Sequence, residues 1–84
     1  MGRLKVDLHP IARDGAAIEA ALHRAMDRAE SRRLTPVEII HGKGSGQLKK
    51  RVLKFLERPD IRRRYARIDK DAKNSGRVFV HFRF

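Results

Sequence analysis

The stretch His41-Gly42-Lys43-Gly44-Ser45-Gly46 constrains this chain more than any other. Val37-Glu38-Ile39-Ile40 before it reads as the body of a short strand, 37–41. After it, Leu48, Val52, Phe55 and Leu56 fall at i, i+4, i+7 and i+8, the apolar stripe of an amphipathic helix over 46–57. A glycine-rich turn from strand to helix points backbone N–H groups at one place, with the positive end of the helix dipole behind them. Its glycines let a ligand approach without a Cβ in the way. His41 and Lys43 add one titratable and one fixed positive group, and Ser45 is the expected N-cap. Gly42, Lys43, Gly44, Ser45 and Gly46 together read as a phosphate site.

The other elements follow from hydropathy periods. Leu4, Val6 and Leu8 alternate with Lys5, Asp7 and His9, a strand over 3–9 that Pro10 stops. Asp14 is a suitable N-cap for a helix over 15–31, with Ile18, Leu22, Ala25, Met26 and Ala29 inward and Glu19, His23 and Asp27 on another face. His23 is expected to face solvent beside those acids. Arg63 to Asp69 reads as a third strand, Lys70 to Gly76 as a hairpin loop, and Arg77 to Phe84 as the last strand. The order β-α-β-α-β-β implies parallel pairing of the first two strands, right-handed crossovers and an antiparallel final hairpin. The fold class is α/β in two layers, with one face of the sheet partly open.

An 84-residue chain is one small domain, 1–84, and buries about 60–65% of its unfolded surface. It has no cysteine, which excludes disulfides and thiolate zinc sites. No stretch is long and apolar enough to cross a bilayer and the N-terminus lacks a signal-peptide pattern, so a cytoplasmic protein is expected. The formal charge is +11, and residues 43–73 alone carry +8 of it. Such clustering is the footprint of a polyanion binder, and nucleic acid is the expected partner. Lys49, Lys50, Lys54, Arg63 and Arg67 are the expected basic face, with His81 and Arg83 as secondary RNA contacts on the open sheet face. A membrane surface fits less well, because no helix pairs a basic face with large exposed apolar residues.

With strands one and two parallel, His9 and His41 end neighbouring strands at one rim, where ligands of open α/β sheets bind. Asp7 shares that rim, and Arg77 starts an antiparallel strand near it. A Walker loop and the dinucleotide fingerprint both fail on glycine spacing. No metal site is expected; if one exists it uses Asp7 and His9.

These residues resemble a known family. Val6-Asp7-Leu8-His9 is similar to the Leu-Asp-x-His motif of the Smr (small MutS-related) domain, and Ile39 to Gly46 is similar to its His-Gly-x-Gly signature. A terminal strand entered through Gly76 also matches, so the resemblance spans residues 4–84. The family usually has Gly after the motif histidine, where this chain has Pro10. The resemblance implies a four-stranded mixed sheet of order 1-2-4-3 with the last strand antiparallel, a fold similar to the C-terminal domain of translation initiation factor three. It also implies a nicking endonuclease on DNA or a ribonuclease.

The leading reading is therefore a phosphodiester endonuclease. His9 is the expected general base, Asp7 fixes its tautomer or position, and His41 is the acid or a phosphate donor. Lys43, Arg77 and the turn N–H groups hold the phosphate oxygens. Attack by an RNA 2′-hydroxyl needs no metal, whereas DNA hydrolysis favours magnesium or manganese at Asp7. The alternative is a non-catalytic module that binds DNA, RNA or the ribosome through the same rim. On that reading Asp7 and His9 make a structural strand-end hydrogen bond. A monomer is favoured, although an exposed edge strand offers a route to pairing.

Overall fold

The computed structural model describes residues 2–44, 46–70 and 76–84. Four strands, β1 (Leu4–Asp7), β2 (Val37–Ile40), β3 (Arg67–Lys70) and β4 (Arg77–His81), form one sheet of order β1-β2-β4-β3. β1 and β2 are parallel, and β4 runs antiparallel to both β2 and β3. This is the two-layer α/β arrangement that the sequence implied. Among the described residues, no helix is long and apolar enough to cross a membrane.

Helices α1 (Gly15–Arg32) and α2 (Gln47–Glu57) pack on one face of the sheet. Ile18, Leu22, Met26 and Ala29 of α1 and Val52, Phe55 and Leu56 of α2 share one buried cluster with Val37, Ile39, Val78 and Val80. Period-two alternation in the strands meets the 3.6-residue stripe of the helices, and the charged residues are left outside. Asp14 caps α1 as expected, its carboxylate accepting the Ala17 N–H at 3.0 Å.

Four expectations change. The first strand ends at Asp7, and His9-Pro10-Ile11 form a 3₁₀ turn. Proline's fixed φ suits the start of such a turn and its missing N–H could not have continued the ladder. The third strand starts at Arg67 rather than Arg63, because Pro59 and Asp60 open a further short helix, α3 (Pro59–Arg62). Tyr65 is buried ahead of that strand, and its hydroxyl donates to the Leu56 carbonyl at 2.9 Å. The last strand ends at His81, although Phe82 stays buried. His23 is half-buried rather than fully solvent-facing: its ring meets Phe55 edge-on at 5.0 Å, and although it lies near enough to act on Glu19, the acids' ion pairs are Glu19 with Arg58 and Asp27 with Arg64. Residues 71–75, most of the expected hairpin loop, lie outside the described residues.

Candidate active site

In β2 the side chains of Val37 and Ile39 point under the helices, and His41 continues that alternation one step past the strand. It is therefore buried, with 3% of its surface exposed. Its backbone N–H and that of Gly42 both donate to the Gly76 carbonyl at 2.9 Å, which fastens the turn to the start of β4. Gly42 has φ of +79° and Gly46 of +89°, left-handed values that favour glycine. The His41 Nδ1 lies 2.8 Å from the Gly42 carbonyl oxygen. That oxygen only accepts, so Nδ1 carries the proton and Nε2 of the neutral ring is left as an acceptor. Among the described residues Nε2 has no partner although it is buried. An orphaned buried polar atom costs about 1–3 kcal/mol.

His9 arrives from the other side. The 3₁₀ turn lifts it out of β1 and leaves it exposed, with its ring edge 3.5 Å from where a Cβ on Gly42 would stand. Asp7 acts on the backbone, since its Oδ1 accepts the His9 N–H at 2.9 Å. That bond orients the start of the turn, and no hydrogen bond joins the carboxylate to the imidazole. His9 and His41 line one cavity of about 230 Å³ together with Ala12, Gly44, Gly46, Gln47 and Leu48. The last two open α2. Gly46 is the N-cap, and among the described residues no side chain caps the N–H groups of the first turn. Ser45 lies outside the described residues, and Lys43 is exposed beside the cavity's mouth-forming turn.

The remaining expected residues are dispersed. Arg77 sits opposite Ile40 in the ladder, as expected of the rim, but its guanidinium donates to the buried Glu38 carboxylate at 2.8 Å and it does not line the cavity. Glu38 was not expected as a partner; its place opposite Phe79, two steps from Arg77, emerges only from the register. The basic residues do not form one face. Lys50 and Lys54 line the groove between α1 and α2, whereas Arg67 pairs with Asp69 on the opposite face of the sheet. There the Arg67 hydrogen bond holds the Asp69 carboxyl below its usual range, and His81 contributes from 2.9 Å. Arg63 is bound within its own turn, through its Nε, to the Pro59 carbonyl. Lys49 is partly buried on α2. Among the described residues no three His, Asp or Glu side chains gather as a metal site.

A two-layer α/β domain with an open four-stranded mixed sheet, and with two imidazoles lining one cavity at its carboxyl rim, defines a class of small α/β domains. Within that class the chain belongs to the Smr domain family, whose model matches residues 6–83. Domains of this family bind nucleic acids, and some are nicking endonucleases. The fold is similar to the crystal structure of the Smr domain of Thermus thermophilus MutS2, with TM-score 0.74, 20% sequence identity and 100% of both chains covered. No curated protein matches the sequence.

Proposed function

We propose that this domain is an endonuclease whose active site is the cavity shared by His9 and His41. The observation that carries this reading is the partnerless Nε2 of His41. A protein tolerates a buried orphan acceptor where a ligand relieves it.

In the proposed reaction the scissile phosphate sits at the N-terminus of α2. The first-turn N–H groups and Lys43 neutralise its developing charge. Neutral His41 accepts a proton at Nε2 from the attacking hydroxyl, and exposed His9 gives a proton to the leaving oxygen. This reverses the roles expected from sequence, because the Nδ1 bond to Gly42 leaves His41 as an acceptor. Asp7 is a positioning residue that holds the His9 backbone. An RNA 2′-hydroxyl completes the reaction without a metal. With DNA, water is the nucleophile, and a divalent cation would rest on Asp7 and His9 with waters for the remaining ligands.

A second reading, a binding module without cleavage, is favoured by the depth of His41, whose Nε2 is covered in the unliganded domain. One experiment separates the two. Structured RNA and supercoiled plasmid are incubated with the domain, with and without EDTA, and products are analysed at their ends. Cleavage of RNA to a 2′,3′-cyclic phosphate in EDTA is the expected result. Salt-sensitive binding with intact strands under every condition would establish the binding module instead.

A further inference from the structure

A second cavity, a groove of about 430 Å³, lies between α1 and α2. Its walls carry Lys50, Arg51, Lys54 and Arg58 against a single acid, Glu19. Glu19 is already paired with Arg58, and that hydrogen bond holds its carboxyl below the usual range. The side chains of Lys50, Arg51 and Lys54 have no hydrogen-bond or ion-pair partner among the described residues. The unbalanced charge is therefore concentrated on the α2 wall. Lys50 and Lys54 stand one turn apart, about 6 Å along the helix axis. Arg51 reaches across to α1, where Gly15 makes room for it: a Cβ on Gly15 would lie 2.8 Å from Nη1. Gln47 lines both this groove and the His9/His41 cavity, so the two are neighbours along one surface.

We propose that the α1–α2 groove is a second phosphate subsite, which carries the nucleic-acid backbone away from the rim along α2. Three like charges held close together without an acid repel one another, and a run of phosphates removes that repulsion while releasing counterions. The occupant is a nucleic-acid strand because the groove adjoins a phosphate site and has cations at helical spacing. Among the described residues the open sheet face offers no comparable surplus, since Arg67 and Arg77 there are paired with Asp69 and Glu38. The inference rests on the nucleic-acid reading above but not on cleavage.

The test is fluorescence anisotropy with a labelled single-stranded RNA and its DNA counterpart over a salt series. The double variant Lys50→Gln/Lys54→Gln should bind about tenfold more weakly, with the slope of log affinity against log salt reduced by about two. The control Arg24→Gln/Arg28→Gln removes the same charge from exposed positions elsewhere on α1 and should keep the wild-type slope. Where cleavage occurs, the groove variant should lower turnover at limiting substrate and leave the single-turnover rate at saturation unchanged. His9→Ala should instead lower the rate at saturation and at limiting substrate alike. Equal loss in groove variant and control would overturn the subsite, since net charge alone would then set affinity. So would unaltered binding by the groove variant. A wild-type domain that binds but never cleaves would overturn the endonuclease and leave this measurement intact.

Discussion

Helices α1 and α2 both begin where a parallel strand has just ended, at the same rim of the sheet. At α1 the Asp14 carboxylate accepts the Ala17 N–H, and the N-terminus is satisfied within the protein. At α2 the cap is Gly46, which has no side chain to offer, and the cavity against it holds a buried nitrogen without a partner. Among the described residues, one terminus is closed by a side chain and the other is not. The dipole is the same at both, so the difference lies in what the sequence puts at the cap: a carboxylate at one, glycines at the other. On the function proposed above, the acid at the first site repels an anion and the second site is the one that takes it.

The comparison can be broken most directly at the histidines. His9→Ala should lower single-turnover cleavage by about 10²–10⁴-fold, with little change in melting temperature because the ring is exposed. His41→Leu should abolish cleavage too, yet hold stability within about 1 kcal/mol, since it deletes an orphan acceptor along with a neutral hydrogen bond. Denaturant melts and cleavage assays on the same preparation would check both. A large stability loss in His41→Leu would show that the nitrogen is satisfied after all.

A smaller effect tests the shape of the open terminus. Gly42→Ala forces a Cβ onto a backbone at φ of +79° and should cost about 1–2 kcal/mol. Cleavage should fall with it, because that Cβ faces the His9 ring. The capped terminus gives the converse. Asp14→Ala should cost about 1 kcal/mol in urea melts while leaving the cleavage rate of the folded protein unchanged.

The smallest expected effect concerns the far end of the groove. Arg58 lowers the folded-state pKa of Glu19, so the pair stabilises the fold above the ordinary carboxylate value of 4.5 and is lost as pH falls through the folded-state value. Glu19→Gln should therefore flatten the acid limb of stability against pH slightly and, by freeing Arg58 in the groove, modestly strengthen neutral-pH binding. Melts between pH 3 and 7 would show it.

Both long helices and the rim were legible because each rests on a local period, whereas the strand order 1-2-4-3 was implied by the family resemblance alone. Leu4/Val6/Leu8 and Val78/Val80/Phe82 alternate, and Ile18/Leu22/Met26 repeat as a helix stripe. The burial of His41 was not anticipated, although it stands two residues beyond Ile39 on the core-facing parity. What misled was the assumption that alternation runs on to His9. Pro10 and the Asp7 side chain turn the chain there, so the aspartate serves a backbone N–H and not the ring. The scattering of the basic residues was not legible, since it depends on which layer each element joins.

The sequence by itself determined the two-layer α/β domain and the collection of two imidazoles and a glycine turn at one end of it. Periodicity and turn chemistry act over a few residues and need no knowledge of distant partners. Only the tertiary structure decided that Gly76 clamps the turn, that Arg77 serves Glu38, and that the unpaired cations border the α1–α2 groove. Those outcomes depend on which carbonyls and carboxylates lie within 3 Å across the sheet and between helices, and strand register and helix packing set those distances.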